Sequence, residues 1–233
     1  MLLVLVAGAA VCAQETNLTA RVALVNDAKK NKARDASNVV IWLTPSDGAG
    51  LAPAPVPQSF PLPRLIQRNK GFEPHVLVVR VGSLVEFPNR DPFFHNVFSL
   101  FEGKRFDLGL YEAGTTRNVL FDKPGISYIF CNIHPEMSAV VLTLNTPYYG
   151  ISDRRGQVII PAVAPGHYTL RIWHEAALPE RLNAMAREVT VSESSSTLGV
   201  FQLPTTSMPE EHKNLYGRDY APPTPDSPAY GRP

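Results

Sequence analysis

Tyr128-Ile129-Phe130-Cys131-Asn132-Ile133-His134-Pro135-Glu136-Met137 decides how this chain is read. A β-like run ends on a cysteine, and an imidazole and a thioether follow with the spacing Cys-x2-His-x2-Met. A second histidine, His95, stands 36 residues upstream in Pro92-Phe93-Phe94-His95-Asn96-Val97-Phe98. Cys131 should end one strand, His134 should sit on the connecting loop, and Met137 should open the next strand. Pro135 stiffens that loop by fixing its own φ, and His95 has to arrive from a distant strand end.

One thiolate, two imidazoles and a long thioether are the donors of a mononuclear type 1 copper ion. Soft sulfur suits Cu(I) and imidazole nitrogen suits Cu(II), so one electron can come and go with little rearrangement. The expected ligands are His95, Cys131, His134 and, axially, Met137, with one copper ion as cofactor. His134 is expected to face outward as the electron port. Asn96 is expected to support the site by bonding the backbone of the Cys131 loop; an ordinary turn asparagine is the alternative.

Other chemistries fit less well. Zinc also accepts one Cys and two His, but Met is not a zinc ligand, so His75 or water would have to complete the shell. A dinuclear copper centre needs a second cysteine in the loop, and a multicopper oxidase needs His-x-His pairs, which the chain lacks. A nucleophilic cysteine needs a base and a third orienting group, normally from elsewhere in the chain. A filled coordination shell points to a carrier, not an enzyme.

With 233 residues and a formal net charge of +1, the chain can build a substantial core and carries no global signal for nucleic acid. Short Val/Ile/Tyr/Phe runs punctuated by Gly, Pro and Asn indicate an all-β protein. Met1 to Ala13 is apolar, too short to span a bilayer stably, and ends in Val11-x-Ala13. Cleaved export is favoured over a lipoprotein anchored at Cys12, because Val11 is a poor neighbour for lipidation. No Lys or Arg precedes the run, so the leader is atypical or starts further upstream. Cleavage would leave Cys131 as the lone thiol in an oxidising compartment, periplasmic or extracellular, where a metal would keep it as thiolate.

Strands are expected over 19–25, 38–43, 76–81, 84–87, 96–100, 115–121, 127–131 and 138–144, then over 156–161, 165–173, 188–191 and 198–203. Residues 27–35 read as a solvated loop, and Pro45 to Pro63 as an extended surface crossing. Ala176 to Ala186 is a short helix or a loop. The resulting division is 1–13 signal peptide, 14–72 N-terminal strands and crossing, 73–145 metal-binding core, 146–203 second β-unit and 204–233 Pro-rich tail, disordered or draped over the surface. Phe93, Phe94, Phe98 and Phe101 are core residues or an apolar collar around the His134 edge. Arg64, Arg68, Lys70, Lys104 and Arg105 are scattered surface charges or a basic rim. His167, His174 and His212 read as structural or surface residues, and the sequon Asn17-Leu18-Thr19 falls in a flexible leader.

From about Glu73 to Leu144 the chain resembles the cupredoxin family, amicyanin- and plastocyanin-like. The resemblance rests on Gly82-Ser83-Leu84-Val85-Glu86-Phe87-Pro88-Asn89, Asp91, His95-Asn96-Val97-Phe98-Ser99, Pro124-Gly125 and Tyr128-Ile129-Phe130-Cys131. It covers about a third of the chain, and it implies a Greek-key β-sandwich with His95, Cys131, His134 and Met137 as copper ligands. Residues 147–203, with Asp153-Arg154-Arg155-Gly156-Gln157-Val158 and Val163-Ala164-Pro165-Gly166-His167-Tyr168, resemble carboxypeptidase regulatory-like β-sandwich modules. The combined expectation is an exported blue copper protein passing single electrons between redox proteins such as a cytochrome or a dehydrogenase. Copper storage or delivery, and an adhesive module with a vestigial site, are the alternatives.

Overall fold

Alternation makes the first strand: in Thr16–Val25 (β1), Leu18, Ala20 and Val22 are buried while Asn17, Thr19, Arg21 and Ala23 face solvent. The structure, a computed structural model, describes residues 15–25, 35–48, 61–100, 102–206 and 212–220. The expected signal peptide, most of the 27–35 loop, the middle of the Pro-rich crossing, Phe101 and the tail at 207–211 and 221–233 lie outside the described residues.

After β1 come β2 (Val40–Pro45), β3 (Ile66–Arg68), β4 (Gly71–Glu73), β5 (Val76–Arg80), β6 (Ser83–Pro88) and β7 (His95–Ser99). Then follow β8 (Phe106–Tyr111), β9 (Thr116–Phe121), β10 (Gly125–Cys131), β11 (His134–Leu144) and β12 (Tyr149–Ile151). The chain continues through β13 (Gln157–Val163), β14 (Gly166–Trp173), helix α1 (Pro179–Ala184), β15 (Arg187–Val191) and β16 (Thr197–Pro204). The protein is all-β apart from α1, which buries no residue and settles the helix-or-loop alternative at 176–186. Among the described residues, no helix is long and apolar enough to cross a membrane.

Two compact units divide these elements. The first holds residues 1–49 and 148–206. Its sheets run β13-β1-β16 and β12-β2-β14-β15, and Leu18, Val22, Ile41, Leu43, Ile160, Leu170, Phe201 and Leu203 meet in their shared core. β1 and β2 are therefore not part of a free-standing N-terminal extension. β1 lies antiparallel to β13 and parallel to β16, and its buried stripe shares one core with Val39, Ile41 and Leu43 as well as with residues that arrive far later in the chain. The sequon consequently sits in a paired strand, where Asn17 accepts a hydrogen bond from the Ala162 amide at 3.0 Å.

The second unit holds residues 50–147 and 207–233. A five-stranded sheet, β5-β11-β10-β7-β8, and the β6-β9 pair face each other across a core containing Val85, Phe87, Val97, Phe121, Ile129, Cys131, Met137 and Val141. β7 is buried at all five positions, as an inner strand covered on both faces should be. β3 and β4 form an unexpected hairpin in which Phe72 joins the core. β8 is equally unexpected: Phe106 and Leu108 alternate with exposed Asp107 and Gly109, but the alternation breaks where Leu110 is exposed and Tyr111 buried, and the ladder with β7 is irregular between Asn96 and Phe98.

Leu18 is fully buried in the first unit's core. Leu18→Ala should therefore destabilise that unit by about 2–5 kcal/mol, read by denaturant unfolding, although residue 18 lies in what the sequence presents as a leader.

Candidate metal centre

Strands β10 and β11 form a hairpin around Asn132-Ile133. Their ladder runs in register from Gly125 opposite Thr143 to Phe130 opposite Ser138, then slips so that Cys131 pairs with His134. Residues 135–137 are the excess taken up by that slip. His134 thus opens β11 beside Cys131 instead of riding on an open loop. On the other side Val97 pairs with Cys131, and the Asn132 amide donates to the Asn96 carbonyl at 2.8 Å. This backbone bond, not the expected side-chain amide, locks the two ligand-bearing segments; Asn96 Nδ2 donates to Asp107 Oδ1 at 2.7 Å.

The consequence is convergence. Cys131 Sγ lies 3.5 Å from His95 Nδ1 and 3.5 Å from His134 Nδ1. Ligand atoms of all three residues fall within 4.8 Å of one another. Met137 is fully buried in the same apolar cluster as Cys131. His75, the alternative fourth zinc ligand, instead places Nδ1 3.2 Å from the Ser138 carbonyl.

The donor triangle fits a metal ion. Bonds of about 2.3 Å to thiolate sulfur and about 2.0 Å to imidazole nitrogen, at tetrahedral to trigonal angles, give a sulfur–nitrogen edge of about 3.5–3.7 Å. His95, Cys131 and His134 therefore stand at a spacing that one metal ion can bridge.

Burial changes one expectation. His95 and Cys131 are fully buried and His134 is 2% exposed, so His134 presents no outward edge for a partner. Phe93 supplies part of the cover, with its ring centroid 5.3 Å from His95 and 5.5 Å from His134. Lys70 Nζ in turn lies 5.7 Å from the Phe93 centroid. Of the other basic-rim residues, Arg64 pairs with Glu86, Arg68 with Glu73 and Lys104 with Asp122.

The residue that spacing alone undervalues is Asp91. Its carboxylate is nearly buried, and Oδ2 sits 2.9 Å from His95 Nε2. It also accepts the amides of Asn69 at 2.6 Å and Lys70 at 3.0 Å. Those are the two turn residues of the β3-β4 hairpin, with φ of 54° and 53°, the left-handed pair a two-residue turn requires. With Nε2–H donated to the carboxylate, the lone pair of His95 is on Nδ1, which faces the sulfur. Asp91 stands in the quoted motif, but nothing in its spacing tells which nitrogen it meets.

Electrostatics follow from burial. Desolvation pushes the Cys131 thiol up, against the backbone amides of Ile133, Asn96 and His134 that favour thiolate. Desolvation, with the neighbouring His95, pulls His134 down to about 4. Desolvation likewise lowers His95, although Asp91 opposes it. For Asp91 itself burial works upward, but the Lys70, His95 and Asn69 hydrogen bonds outweigh it and hold the carboxyl low. The metal-free site at neutral pH is then an uncharged pair of imidazoles beside a protonated thiol. A bound cation replaces that thiol proton.

Asp91→Asn should cost about 1–3 kcal/mol of stability by weakening a buried acceptor, and about ten- to a hundredfold in metal affinity by loosening His95. Denaturant unfolding of the metal-free protein and chelator competition read the two effects separately.

No family model matches the chain, and no curated protein matches it. Solved structures do. A copper-containing nitrite reductase (NirK) from Thermus scotoductus SA-01 is 26% identical over 36% of this chain and 22% of its own, with a TM-score of 0.34; the match thus spans about a fifth of that enzyme's length. A purple cupredoxin from Nitrosopumilus maritimus is 22% identical, covering 35% of this chain and 99% of that one, with a TM-score of 0.32. An oxidized amicyanin mutant is 19% identical over 37% of this chain and 85% of its own, with a TM-score of 0.35.

Proposed function

We propose that this protein is an exported, mononuclear type 1 copper protein that carries single electrons between redox proteins, a cytochrome or a dehydrogenase being the partner class. The observation that carries the reading is the buried His95–Cys131–His134 triangle with its 3.5 Å sulfur–nitrogen edges. Two imidazoles and one thiol, with a buried methionine in the same core, are the soft–borderline mixture that copper prefers over zinc. Bound there, copper supplies a one-electron Cu(II)/Cu(I) couple.

The chain's own residues do the rest. Asp91 holds the His95 tautomer. The Asn132–Asn96 backbone bond keeps the two ligand segments in register. Phe93 and the apolar core exclude water around the donors, so neither oxidation state has to recruit a new ligand. Export draws support from the apolar Met1 to Ala13 run and from the single cysteine that remains once it is removed.

Titrating the purified protein with Cu(II) should give one bound equivalent and an intense visible absorption from the thiolate, bleached by a mild reductant and restored by an oxidant. Cys131→Ser should abolish the colour outright. Stoichiometric binding of zinc with no coloured copper adduct would overturn the reading.

A further inference from the structure

Residues 212–220 take the draped form of the two expected for the Pro-rich tail. They fold onto the ligand loop of the second unit. Tyr220 Oη donates to the Cys131 carbonyl at 2.8 Å. The Leu215 amide donates to Asn132 Oδ1 at 2.8 Å. The His212 amide donates to the Pro135 carbonyl at 3.1 Å. The His212 ring lies over Phe130, with centroids 4.5 Å apart at 34°, and the Tyr220 ring meets it edge-on at 5.5 Å.

These bonds fall where the hairpin is weakest. Past Phe130 the β10–β11 register slips to pair Cys131 with His134, so Pro135 lies in the excess without a regular ladder partner and its carbonyl needs another donor. The segment also has an internal order of its own. Asn214 Oδ1 accepts the amides of Tyr216 and Arg218 at 2.9 and 3.0 Å, and Gly217 turns at φ 72°.

We propose that segment 212–220 is a clamp that completes the metal centre from outside, with Tyr220 and His212 as positioning residues that hold Cys131 and its loop in the metal-binding conformation. It rests on the copper reading for the ion's identity, but the clamp itself consists of contacts between this chain's own residues. Removing any one of these hydrogen bonds or ring pairings should let the loop open more often, by about two- to tenfold.

The test uses the full chain in a Cys12→Ser background, so that Cys131 is the thiol being read. A thiol-reactive disulfide reagent labels the metal-free protein, and loss of copper to a chelator is followed on the loaded protein. Tyr220→Phe and His212→Ala should each speed labelling about two- to tenfold, with the global unfolding equilibrium shifted by no more than the same factor. His212→Phe, which keeps a ring on Phe130, should return labelling toward the parent rate. Lys213→Ala, which removes only an exposed ion pair with Asp219, should label as the parent does. Copper loss should follow the same order. Parent-like labelling in both Tyr220→Phe and His212→Ala would overturn the clamp. Accelerated labelling in a protein that takes up no copper would uphold the clamp and sink the copper reading instead.

Discussion

Everything at the metal centre depends on where the Asp91 carboxylate sits. It is buried, it takes two backbone amides from the β3-β4 turn, and it spends its remaining oxygen contact on His95 Nε2. Buried carboxylates are costly unless bonded in this way. Here the bonds serve two ends. They hold Asn69 and Lys70 in a left-handed turn that neither residue would choose freely, and they fix which imidazole nitrogen faces Cys131. The hairpin, the tautomer and the donor triangle are one linked arrangement.

The donors themselves are legible in the sequence because their chemistry is local. Cys131, His134 and Met137 fall within one short stretch, and only His95 has to be brought from elsewhere; the Val97–Cys131 pairing brings it. What the sequence does not show are relations set by long-range packing. The exposure of His134 depends on a ladder slip between Phe130 and Cys131 and on Phe93 lying across the rings. Asn96 links to the Cys131 loop through its backbone carbonyl and not through the expected side-chain amide, which Asp107 from β8 takes. A short, half-exposed strand therefore changes the role of a residue that the pattern does single out.

The fold shows the same division. Runs rich in β-branched and aromatic residues such as β10 and β13 announce themselves, and so does the all-β class. The partnership of β1 with β13 and β16 does not, because a strand's edges present only backbone donors and acceptors and carry no mark of which distant strand will pair with them. The β3-β4 hairpin is hidden for a different reason. Its turn is Asn-Lys, not Asn-Gly, and it is tenable because a side chain 21 and 22 residues downstream holds both amides.

Burial also bears on which of the copper functions the site suits. Handing an ion to another protein requires that an incoming donor reach the metal while one resident donor lets go. In this site the thiol, the thioether and His95 are fully enclosed, His134 is all but enclosed, and the two imidazole donors stand 3.5 Å from the sulfur. A delivery site would gain from an exposed cysteine or histidine, and the described residues place none in the cluster. Electron transfer asks for the opposite: donors that stay put while charge changes, in a dry, stiff enclosure. The enclosure built by Phe93, the Asp91-tied hairpin and the inner strands meets that demand, which is why the carrier reading stands ahead of delivery.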